Sequence, residues 1–353
     1  MVELKNFYKN KKILITGVTG FKGAWLSNWL LKLGSKVIGI GHSTKKNKSL
    51  FYQLELEKKI NLFLFDIREF KKLNSVIKKT KPSIIFHLAA QTLIFESYRK
   101  PMLTFDINYR GTLNLMECVR LSSSVKSVII TTSDKCYESN SSQRGFKETD
   151  TLGGIDPYSA SKSSSEIMVR AYRESFFKNN SKVGISTGRS GNVIGGGDWS
   201  LKRLIPDCIK SLKLNKTILI RNPKFNRPWQ HVLEPLRGYL ILAHKQYLNP
   251  LKYSGAWNFG TKPNSLTDVK TLVVHIINFW GTGKMKIKKN NFYEQQNLQL
   301  NIKKAKKHLK WYPTYNIKNS VKMTVDWYFR VLQKREDPKK VTSDQIDQYT
   351  NDN

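Results

Sequence analysis

Short runs of apolar residues alternate with amphipathic stretches through the first half of the chain. Residues 12–16 (KILIT) read as a buried strand, closed by a glycine turn. Positions 24–33 then place Trp25, Leu26, Trp29, Leu30 and Leu33 on one helical face. The same patterning predicts strands at 37–40, 62–65, 84–88 and 128–132, one more starting at 183–185, and helices at 71–79, 102–121 and 158–177. Strands alternating with helices of this length predict right-handed βαβ units, and so a parallel sheet with helices on both faces. After about residue 192 the pattern becomes irregular, broken by Gly195-Gly196-Gly197 and several prolines, with helical stretches at 236–244, 268–279 and 321–332. This reads as a smaller, partly interleaved lobe over 192–334. Residues 335–353 are polar, hold Pro338 and show little periodicity, so a disordered tail is expected. No internal repeat is evident.

Composition adds limits. In 353 residues, 39% are hydrophobic and 11% aromatic, ample for a buried core and unlike a disordered polycation. The 61 Lys and Arg outnumber the 26 Asp and Glu, a net charge of +35, which raises the question of nucleic acid or another anionic surface. Yet the lysines are spread along the whole chain, no zinc-finger or RNA-recognition string accompanies them, and abundant Asn and Ile suggest an AT-rich coding sequence. Solvated surface is the simpler reading, with no nucleic acid as partner. Cys118, Cys136 and Cys208 are too few and too scattered for a disulfide framework or a zinc cage. His87 and His231 lack companions at ligand spacing, so structural histidines and no metal are expected. No run approaches the ~20 apolar residues that cross a bilayer, and the first residues, MVELKNFYKNKK, lack a small-residue cleavage site. The expectation is a cytoplasmic protein without a membrane partner.

Candidate chemistry begins at Gly17-Val18-Thr19-Gly20-Phe21-Lys22-Gly23, a G-x-x-G-x-x-G turn between the first strand and first helix. Glycines there permit a tight turn and let backbone N–H groups approach a pyrophosphate seated on the helix N-terminus. The dinucleotide class follows from the end of the second strand, where an acid selects a ribose 2′-OH. The segment Gly39-Ile40-Gly41-His42-Ser43-Thr44-Lys45 has no acid, which leaves NAD and NADP both open. Asp66, beside Ile67 at the end of the third strand, is either an acceptor for an adenine amine or an ordinary strand-end aspartate.

Tyr158-Ser159-Ala160-Ser161-Lys162 sets Tyr158 and Lys162 one helical turn apart. An ammonium there favours the phenolate and makes the tyrosine a candidate general base. Ser133, at the C-terminal end of a strand, is placed to orient a substrate oxygen near the crevice.

The glycine turn, Phe86-His87-Leu88-Ala89-Ala90-Gln91, Asn108-Tyr109-Arg110-Gly111-Thr112 and the Ser133/Tyr158/Lys162 set resemble the extended short-chain dehydrogenase/reductase family over nearly the whole chain. The strings Thr132-Ser133-Asp134-Lys135-Cys136-Tyr137, residues 191–199 (GNVIGGGDW) and residues 227–236 (RPWQHVLEPL) look like the members that dehydrate nucleotide-linked hexoses. That resemblance implies a Rossmann-type, doubly wound α/β fold with an NAD(P)-binding domain over 1–191, to which some later segments return, and a nucleotide-sugar lobe over 192–334. It implies NAD as cofactor, with NADP not excluded, held by Gly17, Thr19, Gly20, Phe21, Lys22, Gly23, Asp66, Ile67, Leu88, Ala89, Ala90, Gln91, Asn108, Tyr158 and Lys162. CDP-glucose is the implied substrate, with Asn192, Arg203 and Arg227 toward its diphosphate, and a homodimer or dimer of dimers the implied assembly. Tyr158, Lys162 and Ser133 would oxidise C4, Lys135 in neutral form would take the C5 proton, and Asp134 would protonate the leaving C6 hydroxyl. Another nucleotide-sugar dehydratase, a 4-epimerase, or a non-catalytic RNA-binding scaffold are the competing readings. Intact Ser133, Asp134, Lys135, Tyr158 and Lys162 argue against the last.

Overall fold

The period-two alternation of the strands divides the interior into two layers. In the computed structural model, which describes residues 2–42, 49–138, 144–178, 182–200, 202–262, 265–287 and 299–353, seven strands form one parallel sheet. They are β1 (Lys12–Thr16), β2 (Lys36–Gly41), β3 (Asn61–Leu64), β4 (Ile84–His87), β5 (Ser127–Thr131), β6 (Gly184–Arg189) and β7 (Gly255–Asn258), in the order β7-β6-β5-β4-β1-β2-β3. Ile13 and Ile15 of β1, Ile84 and Phe86 of β4 and Ile129 of β5 point into one core, whereas Leu14, Ile85, Val128 and Ile130 point into the other. The order reverses direction between β1 and β4. That switch opens a crevice at the carboxyl ends of the strands, where doubly wound sheets place their ligands.

α1 (Val2–Tyr8) and α2 (Phe21–Lys32) cover the first core; α2 buries Trp25, Leu26, Trp29 and Leu30, and later helices pack on it. The second core lies under α3 (Phe70–Thr80), α4 (Gly111–Arg120) and α5 (Pro157–Tyr172). The stretch expected as one helix over 102–121 is interrupted: a π turn, Asp106–Arg110, separates Pro101–Phe105 from α4. Such a turn widens the helix by one residue and often marks a working position. Here the carbonyl oxygen of Asn108 accepts the hydroxyls of Thr112 and of Ser165 on α5, at 2.6 and 3.0 Å.

The second half adds α6 (Leu204–Lys213), α7 (Leu233–Leu248), α8 (Val269–Trp280), α9 (Ile317–Leu332) and three short strand pairs, while β7 extends the main sheet beyond β6. The disordered tail expected over 335–353 is corrected by the structure. Pro338–Asn351 forms a helix, α10, with Val341, Thr342, Gln345, Ile346 and Tyr349 buried. Pro338 is the first helical residue, where a missing N–H costs nothing, and the Asp337 side chain accepts the Lys339 N–H as N-cap. The periodicity is faint because two of the inward positions, Thr342 and Gln345, are polar.

Candidate active site

The glycine turn is fixed by crowding. Gly17 has φ +71°, and a Cβ there would stand 2.6 Å from the Ala89 amide nitrogen, so only glycine lets the exit of β1 pass the segment after β4. A Cβ on Gly23 would overlap the Gly17 carbonyl oxygen. The N–H groups of the first turn of α2, which have no partner within the helix, therefore face a cradle bare of side chains, the fit required by a dinucleotide pyrophosphate.

One broad cleft runs along the strand ends. Its nearer side is lined by Gly17, Thr19, Gly20, Phe21, Lys22, Gly23, Asp66, Ile67, Leu88, Ala89 and Ala90; Ser133, Asp134, Lys135, Tyr158 and Lys162 lie at its centre; Asn192, Arg203 and Arg227 reach it from the second half. Gln91 and Asn108 stand behind its wall. The Asn108 amide accepts the Gln91 N–H at 2.8 Å and donates to the Gln91 carbonyl at 3.0 Å and the Ser161 hydroxyl at 2.9 Å, so it braces the cleft from inside. The Asp66 carboxylate is engaged by the Arg68 guanidinium on both oxygens, at 2.9 and 2.8 Å, which holds its pKa below the ordinary value. On the question of NAD against NADP, Ser43, Thr44 and Lys45 lie outside the described residues, as do Lys46, Lys48, Lys288 and Lys289.

The Ser133–Asp134–Lys135 turn follows β5. Ser133 caps a short 3-10 turn: its hydroxyl accepts the Lys135 N–H at 3.2 Å and donates to Asp134 Oδ1 at 3.0 Å. The other carboxylate oxygen accepts the Asn192 amide at 3.2 Å. Asn192 adopts φ +49°, a left-handed conformation that asparagine tolerates. Gly191 is bare for a reason, since a Cβ there would overlap the Asp134 carboxylate. Burial pushes the Asp134 carboxyl above its usual range, against the lowering effects of Lys135 and of the Ser133 hydrogen bond.

Tyr158 and Lys162 enter from the first turns of α5. Asp156 caps that helix, accepting the Ser159 N–H at 3.0 Å, and Pro157 starts it. Burial pushes the Tyr158 phenol up to about 12, while its hydrogen bond with Ser133 pulls the other way. Burial lowers the Lys162 ammonium to about 8, and its Nζ donates to the Thr131 carbonyl oxygen at 3.3 Å. The expected depression of the phenol is thus outweighed by loss of solvent, with the ammonium turned toward the backbone of β5.

Lys22 is placed differently from the other residues of its turn. Its ammonium crosses the cleft to the Ser190 hydroxyl at 3.0 Å, and Ser190 shares a 2.7 Å hydrogen bond with the Tyr239 phenol. Burial, then the charges of Arg203 and Lys162, lower Lys22 to about 7. No motif marks Ser190 or Tyr239 in the sequence, because their role depends on a contact between distant segments. Arg203 stands at the start of α6, bonded to Asp198 Oδ2 and to Thr92 Oγ1, each at 3.0 Å. Arg227 is buried, donating to the Asn226 carbonyl oxygen at 3.1 Å. Both ring nitrogens of His87 are engaged, by Thr16 at 2.7 Å and Thr112 at 3.1 Å. Among the described residues no three His, Cys, Asp or Glu side chains are grouped to hold a metal ion.

Sheet order, glycine cradle and the Ser133, Tyr158 and Lys162 set together define an extended short-chain dehydrogenase/reductase. Residues 14–324 match the family described as GDP-mannose 4,6 dehydratase, and the chain belongs to that family. It is similar to a CDP-glucose 4,6-dehydratase of Salmonella typhimurium, with 40% identity over 92% of each chain. Among solved structures it resembles a UDP-glucose 4-epimerase with UDP-glucose from Thermotoga maritima, with a TM-score of 0.79, 22% identity, and coverage of 92% of this chain and 100% of that one. It also resembles a dTDP-glucose 4,6-dehydratase from Bacillus anthracis in complex with NAD, with a TM-score of 0.77, 23% identity, and coverage of 91% and 97%.

Proposed function

We propose that the chain converts CDP-glucose to CDP-4-keto-6-deoxy-glucose, using NAD with no net redox change. The observation that carries this reading is the buried Asp134, its carboxyl pushed above the usual carboxylate range, in one cleft with Lys135 and Tyr158. A 4-epimerase needs no acid to expel a hydroxyl, whereas a dehydratase does. The nucleotide assignment is supported by the 40% identity to the Salmonella enzyme.

Tyr158 takes the proton of the C4 hydroxyl, with Ser133 orienting that oxygen and Lys162 stabilising the phenolate. NAD held over the glycine cradle of Gly17, Gly20 and Gly23 would supply the hydride acceptor for C4 and the hydride donor for C6. Oxidation at C4 acidifies the C5 proton, which Lys135 removes, and Asp134 gives its proton to the C6 oxygen as water leaves. Lys135 returns its proton to C5 as C6 is reduced, Tyr158 releases to solvent the proton it took from the C4 hydroxyl, and Asp134 takes one up again, so the cycle closes with water as the only net loss. Asn192, Arg203 and Arg227 are assigned to the diphosphate. Guanidinium groups suit that contact by their paired N–H donors. Binding would draw Arg203 from its present bonds to Asp198 and Thr92.

A homodimer is part of the proposal: Met102, Phe105 and Ile167, on the segment before α4 and on α5, are exposed apolar side chains that a second copy would cover. The three cysteines are unpaired, as suits the cytoplasm. Incubation with CDP-, dTDP-, UDP- and GDP-hexoses, followed by alkali-induced absorbance of the 4-keto product, tests the reading. Turnover with CDP-glucose above all others is expected. Exchange of C4 stereochemistry without loss of water would overturn it.

A further inference from the structure

A buried ion pair lies directly behind the catalytic turn and has no part in the chemistry above. Glu166 follows Lys162 by one turn of α5 and Arg189 ends β6, each with its side chain 3% exposed. Arg189 Nε donates to Glu166 Oε1 at 2.9 Å and Nη2 to Oε2 at 2.8 Å, a forked contact. The carboxylate also accepts the hydroxyls of Thr132, on Oε1, and Thr187, on Oε2. The third nitrogen of Arg189, Nη1, donates to the Tyr137 phenol oxygen at 2.7 Å and to the Glu148 carbonyl at 3.2 Å, and Tyr137 donates in turn to Asn258.

Thr132 immediately precedes Ser133, and Tyr137 closes the turn. One ion pair thus holds both ends of a segment whose interior is Ser133, Asp134 and Lys135. Stability alone does not account for such a pair, because desolvating two charges offsets most of their attraction and a well-packed apolar replacement is often neutral or better. Its geometry supplies direction instead. The fork fixes α5 to β6, and the two outer bonds fix the exit of β5 to both. Tyr158 and Lys162 come from α5, whereas Ser133, Asp134 and Lys135 come from the β5 exit, so their mutual placement depends on this joint. Ser163 on α5 adds a smaller tie, from its hydroxyl to the Cys136 carbonyl at 2.9 Å.

We propose that Glu166 and Arg189 are positioning residues that hold the Ser133–Asp134–Lys135 turn in register with Tyr158 and Lys162. The kinetic consequence rests on the dehydratase reading; the placement does not. Thr132→Val removes the tie to the turn and keeps the ion pair, while Thr187→Val removes the matching tie to β6, outside the turn. Thr132→Val should lower kcat by about tenfold or more with KM within about twofold, since small misplacements of reacting groups cost that much. Amide exchange over 132–137, measured without substrate, should quicken about tenfold as the local opening becomes easier. Thr132→Ser should restore both, Arg189→Lys should reproduce the Thr132→Val pattern, and Thr187→Val should leave both within about twofold of the parent. Equal effects of Thr132→Val and Thr187→Val, or a Thr132→Val enzyme that exchanges and turns over like the parent, overturn the proposal. A parent enzyme inert toward every nucleotide sugar would count against the dehydratase reading alone, because the exchange comparison still reports on the turn.

Discussion

At the scale of the residue, Asp134 pays in stability for its chemistry. Its pKa is raised in the folded state by burial, so folding favours its protonated form. That contribution is fully present below the unfolded carboxyl value, about 4, and is lost as pH rises through the folded value. Asp134→Asn is therefore expected to melt at or above the parent temperature at pH 7 to 8, with the difference closing below about pH 4. The same variant should still oxidise C4 but stall before water loss, seen as a persistent absorbance of reduced nicotinamide after substrate is added. Melting curves across pH and stopped-flow absorbance check the two halves. Gly191→Ala should stall the same step and also destabilise, because its Cβ would displace the carboxylate. Ser133, Asp134, Lys135, Tyr158 and Lys162 are legible in sequence because each group falls within one short string on one element. Lys22 at Ser190, and Glu166 at Arg189, are not, since nothing local records which distant segments the sheet brings together.

At the scale of the element, β1 to β6 start within a residue of the positions read from the sequence, because burial makes most of them continuous apolar runs, whereas the short β7, with Gly255 and Asn258 among its four residues, is not read. Helix 102–121 is read as longer and more regular than it is, for a π turn changes hydrogen bonding without changing composition. The largest miss, α10, has a polar sequence and a specific anchor. Glu234, buried at the start of α7, accepts the Thr314 N–H at 3.0 Å, the Tyr315 N–H at 2.6 Å and the Tyr349 phenol at 2.8 Å. Burial raises its pKa against those hydrogen bonds. Removing only the hydroxyl, in Tyr349→Phe, leaves a buried carboxylate one donor short and should cost about 1–3 kcal/mol by urea denaturation. An unchanged midpoint would mean that the helix is held by its other contacts, among them Lys32 to Asp347 and Trp327 to Thr342.

At the scale of the whole molecule, the +35 charge acts as a field around a few specific cations. The substrate and cofactor are both anionic, so the field should speed encounter and be screened by salt. Raising ionic strength from low to about 0.3 M should raise KM a few-fold and leave kcat within about twofold. Tight, steeply salt-dependent RNA binding without turnover is the pattern that would favour a scaffold instead. The two chain ends add something of another kind. Tyr8 of α1 donates to the Leu240 carbonyl of α7 at 2.8 Å, and Trp25 donates to the Gly196 carbonyl at 2.9 Å. Tyr349 packs edge-on against Trp29 at 5.9 Å, and Asp347 pairs with Lys32 at 2.7 Å. The helix beside the glycine turn is therefore covered in part by residues that follow it by more than 300 positions, as Lys32 and Asp347, 315 apart, show. Until α10 is made and seated, Trp29 lacks its cover, and a polypeptide cut before α10 presents it to whatever chaperone or protease arrives first.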